Sequence, residues 1–233
     1  MTSRGVQLDG SRVLVLGGSG VLGGLIAAEL HNRNARLVLA GRDAGRLQNA
    51  ASMISTDTRS ALFDLREPGH AQHVVDTAAE LLGGLDGLVN AAGVVAFGSI
   101  DDMPESALDE LFAADLVGPL RVIRAALSHL DGGFVVNITG VVAEQPVAGM
   151  AAYSAAKSGL SAATQALGRE LRRRRIHVLD ARPPHTETGL AGRPIAGSSP
   201  KMPTGLEPVQ VARAIVAGLE RGDRELPSAA FTA

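Results

Sequence analysis

Short apolar runs alternate with stretches of helical apolar spacing along nearly the whole chain. Arg12-Val-Leu-Val-Leu16 is the first run, and its lack of polar alternation marks a strand buried on both faces. From Gly24 to Leu30 the apolar residues recur at helical spacing. Ala35–Ala40, Ser60–Phe63, Leu85–Val89, Gly133–Thr139 and Ile176–Leu179 read as further strands, and Arg224–Leu226 as a weaker seventh. Between them the pattern predicts a helix after Asp43 and others over 69–83, 104–130, 151–174 and 209–219, the third broken near Gly118-Pro119. Six or seven strands alternating with helices predict an α/β fold, a single-domain doubly wound parallel sheet with helices on both faces. The alternation lapses over 183–207, which is rich in Pro, Gly, Ser and Thr; a loop of that length is expected to carry function.

Composition narrows the picture. A chain of 233 residues, 45% hydrophobic, is long enough for a sizeable core, and with aromatics at 3% that core must be Ala, Val, Leu and Ile. The net charge of -2 favours neither nucleic acid nor an anionic membrane. The four consecutive arginines Arg172–Arg175 read as a solvated helix C-terminus, where cations suit the macrodipole. With no cysteine there is no disulfide framework, thiolate metal site or thiol nucleophile. The six histidines are scattered and lack a metal-binding motif, so no metal is expected. Nothing resembles a signal peptide, and no apolar run approaches the ~18 residues of a membrane span, so a cytoplasmic protein is expected.

The chemistry-bearing stretches fall at strand ends. Gly17-Gly18-Ser19-Gly20-Val21-Leu22-Gly23 joins the first strand to the first helix. It fits the dinucleotide-binding spacing either as Gly18-x-Gly20-x-x-Gly23 or as a register on Gly17, Gly20 and Gly23. Glycines let backbone approach a pyrophosphate, and the helix N-terminus supplies N–H donors. After the second strand, Gly41 stands where an NAD site would carry an acid, and Arg42 follows; its guanidinium can pair with the 2′-phosphate of NADP. Asp43 is a candidate cap for the next helix. Asp64 and Leu65 follow the third strand; the carboxylate can meet an adenine amino group or cap the following helix. Asn90-Ala91-Ala92-Gly93 ends the fourth strand with residues small enough to admit a flat ligand.

Tyr153 is the only tyrosine, and Lys157, four residues on, is one of two lysines. That spacing stacks both side chains on one helix face. A phenol titrates near pH ~10, too high for neutral-pH proton transfer unless a nearby cation stabilises the phenolate. So placed, the pair can act as general acid or base.

These stretches, in this order and spacing, resemble the short-chain dehydrogenase/reductase family over nearly the whole length. The resemblance rests on the Gly17–Gly23 turn, Asp64, Asn90–Gly93, Val136-Asn137-Ile138, Tyr153-x-x-x-Lys157 and Pro183–Thr188. It implies a Rossmann-fold, NAD(P)-dependent oxidoreductase with its cofactor at the strand C-termini, here NADP in preference to NAD. Tyr153 would exchange a proton with a small carbonyl or secondary alcohol. Lys157 would lower the tyrosine pKa and hold the nicotinamide ribose. Pro183, Thr186 (by backbone) and Thr188 (by hydroxyl) would meet the carboxamide. The long helices of 104–130 and 151–174 would build a homodimer or homotetramer.

Three departures stand beside this resemblance. Leu16 replaces a family threonine and Val21 a family glycine, which gives the turn the spacing of the family's extended members. Gly140 occupies the place of the serine that hydrogen-bonds the reacting oxygen, and losing such a donor costs about a hundred- to a thousandfold. Thr139 substitutes only if the strand end shifts by one residue, whereas His185, beside the expected nicotinamide, can contact substrate. Asp115 aligns with the asparagine that holds a proton-relay water. These departures leave an alternative: a catalytically degenerate NADP-binding sensor or scaffold. A serine restored at position 140 is expected to separate the two.

Overall fold

The computed structural model describes residues 5–231. Its elements are β1 (Arg12–Leu16), α1 (Val21–His31), β2 (Arg36–Gly41), α2 (Ala44–Ile54), β3 (Arg59–Leu62), α3 (His70–Leu82) and β4 (Gly87–Asn90). There follow α4 (Glu105–Phe112), α5 (Gly118–Ala126), β5 (Phe134–Ile138), α6 (Ala151–Glu170), β6 (His177–Ala181), α7 (Pro208–Arg221) and β7 (Glu225–Leu226). All seven strands lie parallel in one sheet of order β3-β2-β1-β4-β5-β6-β7, a Rossmann-type doubly wound fold.

Each face of the sheet has its own core. Leu14 and Leu16 of β1 join Val38 and Val135 beneath Val74 and Ala78 of α3 and Val122 and Ile123 of α5. The intervening Val13 and Val15 join Leu39 and Val136 on the other face, against Ile26 and Leu30 of α1 and Ile215 and Leu219 of α7. Successive strand residues thus serve opposite cores, which is why β1 is apolar at every position after Arg12. The two edge strands are short, four residues in β3 and two in β7, which leaves few unpaired backbone groups.

Local chemistry explains the boundaries. Asp43 caps α2, its carboxylate accepting from Arg46 N–H at 2.9 Å. Gly83 and Gly222 close α3 and α7 in left-handed conformation. The stretch 104–130 is interrupted earlier than its Gly118-Pro119 suggests: residues 113–117 form a π-helical turn, and Pro119 sits in the first turn of α5, where its missing N–H is harmless. Helix α6 ends at Glu170 and tightens into a 3₁₀ turn over Leu171–Arg174, so the four arginines lie on a helix end as expected. Strand β6 runs two residues beyond its apolar stretch, through Asp180 and Ala181.

Candidate active site

The strand order reverses at β1, whose neighbours are β2 and β4, and a crevice opens at such a switch point beyond the strand C-termini. The glycine turn lies there. Gly17 has φ +74°, and a Cβ on it would sit 2.7 Å from Ala92 N; one on Gly23 would sit 2.3 Å from Gly17 O. Only Gly17 of the two candidate first glycines also has a positive φ, so the turn requires glycine there on both counts, while a Cβ on Gly18 would crowd Leu39 at 2.8 Å. Helix α1 begins at Val21 with no side-chain cap, so its first N–H groups are free for an anion. Ser19 is half-buried in the turn and Leu22 packs inward against the core. Arg46, which sequence reasoning missed, donates to Ser19 O at 3.2 Å and brings a second guanidinium beside the turn. Arg42 is exposed, with Glu110 4.0 Å away.

Other strand ends differ from expectation. Arg66 clasps the Asp64 carboxylate (Nη2 to Oδ2 2.5 Å), and Asp64 also accepts from Arg66 N–H at 3.0 Å. The aspartate therefore caps a local turn and its charge is already paired, which holds its carboxyl below the usual range. Leu65 is buried in the core, leaving only its backbone to meet a ligand. The Asn90 amide points inward and donates to Asn137 Oδ1 at 2.5 Å; Asn137 in turn donates to Thr164 Oγ1 at 2.8 Å. Ala91, Ala92 and Gly93 line the crevice at intermediate exposure, and a Cβ on Gly93 would lie 2.4 Å from Asp115 Oδ1.

Tyr153 and Lys157 share a face of α6, with the ammonium 5.8 Å from the ring centroid. Lys157 is buried, 3.3 Å from Asp115 Oδ1, and donates to Ile138 O at 3.3 Å. Asp115 lies in the π-helical turn, fully buried; Oδ1 also accepts from Val94 N–H at 3.2 Å, while Oδ2 has no partner. A turn of this kind pushes one residue out of helical register and commonly marks a functional site. Burial raises the Asp115 carboxyl against the opposing pull of Lys157. Burial works against the Lys157 charge, yet Asp115 and Tyr153 together hold the ammonium above its ordinary value. For Tyr153 the Lys157 ammonium pulls the phenol down, as expected, but burial and the Asp115 charge outweigh it and the phenol stands above its ordinary value.

The substitute for the missing serine is not Thr139. Its hydroxyl donates to Asp180 Oδ1 at 2.5 Å and the residue is fully buried, because the strand end keeps its register and alternate side chains face opposite ways. Gly140 follows at φ +78°, ψ 165°, a region essentially confined to glycine, so a serine there is strained. The space above it is open, the nearest atom being Pro183 O at 3.8 Å from a built Cβ.

The loop after β6 is closed across its neck and pinned at its middle. Thr186 bridges Leu206, and Ala196 bridges Ala96 with Ile195 N–H donating to Val95 O at 2.9 Å. Pro183 is buried; the Thr186 hydroxyl donates to Pro184 O at 2.9 Å, and Thr188 Oγ1 accepts from Leu190 N–H at 3.4 Å. His185 packs over Gly205, 3.5 Å from Glu187, in the wall of a cavity of about 360 Å³ shared with Met202 and Thr204. Among the described residues no cluster of three or more His, Asp or Glu could hold a metal ion. Among the same described residues no helix is long and apolar enough to cross a membrane.

The parallel seven-stranded sheet, with a glycine turn at its switch point and a Tyr-Lys pair on α6, is a Rossmann-type fold. The model of the short chain dehydrogenase family matches residues 11–196, and the chain belongs to that family of oxidoreductases. An uncharacterized oxidoreductase of Staphylococcus aureus strain MW2 is 28% identical over 218 residues, covering 92% of each chain. A short-chain dehydrogenase of Burkholderia cenocepacia J2315, solved in complex with NADP, superposes with TM-score 0.84 at 29% identity, covering 97% of this chain and 100% of that one. The fold recurs in 3-ketoacyl-(acyl-carrier-protein) reductase of Brucella melitensis, complexed with NADH, with TM-score 0.85 at 21% identity, covering 94% of this chain and 95% of that one.

Proposed function

We propose that this oxidoreductase prefers NADP and acts on a small carbonyl or secondary alcohol, with Tyr153 as its general acid/base. The observation that carries the reading is the half-buried Tyr153 beside the buried Lys157–Asp115 pair, next to the glycine turn. The residues fit a dinucleotide: free helix N–H groups for pyrophosphate, a close-packed Gly17–Ala92 contact, and small residues at 91–93 for the nicotinamide end. The bound cofactor supplies or accepts the hydride. Tyr153 gives its proton to the carbonyl oxygen as the alcohol forms, or takes it in the reverse direction. Lys157 eases the phenolate and is oriented by the Ile138 carbonyl and Asp115. Arg42 just beyond β2 and Arg46 against the glycine turn support the 2′-phosphate preference, since no acid stands at Gly41 to repel that group. His185 and the 183–207 loop shape the substrate side.

The chain works as one domain in this reading, in the cytoplasm, as a homodimer or homotetramer paired through α4–α6, without nucleic acid or membrane. NADPH consumption against a panel of activated ketones, aldehydes and diketones tests it: turnover is expected, and Tyr153→Phe should abolish it. A second reading, an NADP-binding sensor or scaffold, draws on Gly140 and the inward-turned Thr139, which leave the reacting oxygen without the family's usual hydroxyl donor. NADPH binding with no Tyr153-dependent turnover would favour it.

A further inference from the structure

Asp180 is a fully buried carboxylate that neither the family resemblance nor the proposed chemistry uses. It sits on β6 between two elements of the site. Oδ1 accepts from Thr139 Oγ1 at 2.5 Å, just beyond β5, and Oδ2 accepts from Ser161 Oγ on α6 at 2.6 Å. Both partners are placed by sequence. Thr139 is the residue after Ile138, whose carbonyl receives the Lys157 ammonium, and it precedes the Gly140 turn. Ser161 lies one helical turn beyond Lys157 on the face that also carries Tyr153. One carboxylate therefore ties the strand end that holds Lys157 to the helix that carries it.

The charge is balanced on the far side. Arg182, just past the end of β6 and two residues on from Asp180, places Nη1 3.7 Å from Asp180 Oδ2. Its other nitrogens reach Glu144 at 2.8 Å and Glu225 at 2.6 Å. Glu144 pairs with Arg182 by charge alone, since Arg182 Nε finds no hydrogen-bond acceptor, and it accepts from the Ser228 hydroxyl at 2.7 Å. A buried carboxylate with both oxygens hydrogen-bonded and a guanidinium behind it costs less to bury than an isolated one, and cutting one arm of such a network leaves another polar group stranded.

We propose that Asp180 is a positioning residue for the Tyr153–Lys157 pair, clamping α6 to the end of β5 so that the ammonium stays on the Ile138 carbonyl beside the Tyr153 ring. The charged groups facing the pair are Asp115 from the π-helical turn and Asp180 itself, with Arg182 behind Asp180. Releasing the clamp lets Lys157 move away from the phenol and weakens its support of the phenolate.

The chain's single tyrosine and lack of tryptophan make the test direct, because phenolate absorbance reports Tyr153 alone. It is read just after a rapid jump to alkaline pH, before unfolding, and needs neither cofactor nor substrate; its outcome is independent of whether any carbonyl is reduced. Asp180→Leu should move the phenol titration up by about one pH unit. Asp180→Asn keeps both hydroxyl partners in reach and should restore most of the wild-type titration. Ser161→Ala and Thr139→Val each remove one arm and should shift it part of the way. If Asp180→Leu does not fold, those two variants decide. An unchanged phenol titration in the folded variants, with only thermal stability lowered, would overturn the clamp and leave Asp180 as fold support.

Discussion

Asp115 carries a negative charge where the family resemblance leads one to expect a neutral amide, and the structure gives that charge two consequences. It sits 3.3 Å from the Lys157 ammonium, and it helps hold the Tyr153 phenol up. Asp115→Asn keeps an acceptor for Val94 N–H but removes the charge that opposes phenolate formation. The phenol titration should therefore move down, by about one unit, and the alkaline limb of any turnover profile should follow it. The sign separates this variant from the clamp variants, which move the phenol up. Gly140 yields a second expectation at this scale. With φ +78° and ψ 165°, a side chain there costs about 1–3 kcal/mol, so Gly140→Ser should lower the denaturation midpoint without raising turnover. A serine at 140 therefore does not separate an active reductase from a sensor, as the sequence alone led one to expect, because the strain it brings acts in either case. Sequence shows that the serine is missing; it does not show the backbone angle that keeps it out.

Secondary-structure elements were legible wherever both faces of a strand or one face of a helix are apolar. Strand β1 was read at its observed bounds because every residue after Arg12 enters one of the two cores. Strand β6 was read short because Asp180 interrupts its apolar run; the signal that could have extended it is the opposite-charge pair Asp180 and Arg182 two residues apart on one face. The break in 104–130 was legible in Gly118-Pro119, but its position at 113–117 and its π-helical form, which brings Asp115 to Lys157 and Val94, were not. One surface pair tests how the elements are held. Arg12 at the start of β1 grips Asp86, just before β4, through Nε–Oδ2 and Nη2–Oδ1 contacts of 2.7 Å each. The Arg12 hydrogen bonds hold the Asp86 carboxyl below its ordinary value. A depressed folded-state value contributes stability above the unfolded value, and that contribution is lost as pH falls through the folded one. Because both groups are about one-third exposed, Asp86→Asn should cost only about 1 kcal/mol at neutral pH. Urea unfolding of wild type and variant should converge as pH drops below the usual carboxylate range.

At the scale of the molecule, the close-packed glycine turn, the Tyr-Lys pair and the doubly wound parallel sheet were readable because each depends on local residue type: glycine where backbones touch, a rare phenol and ammonium on one helix face, strands alternating with helices. What joins them across the chain was not readable, since the Thr139–Asp180–Ser161 clamp and the Arg46 approach to the glycine turn link distant segments. The cofactor preference is likewise a property of assembled parts and can be weighed without a substrate. A ligand that binds only the folded chain stabilises it by about 2.7 kcal/mol at a hundredfold excess over Kd. In a chain of this size each kcal/mol moves the melting temperature by about 2–4 °C, so saturating NADPH should raise it by roughly 5–10 °C. NADH at the same concentration should raise it less, because it offers no 2′-phosphate to Arg42 and Arg46. Arg42→Ala should shrink the NADPH shift and leave the NADH shift nearly unchanged. Equal losses for both cofactors would remove the guanidinium from the 2′-phosphate and leave it a solvated end of β2. A large NADPH shift together with a silent carbonyl panel would point instead to a chain that keeps the cradle and reads the cofactor without turning it over.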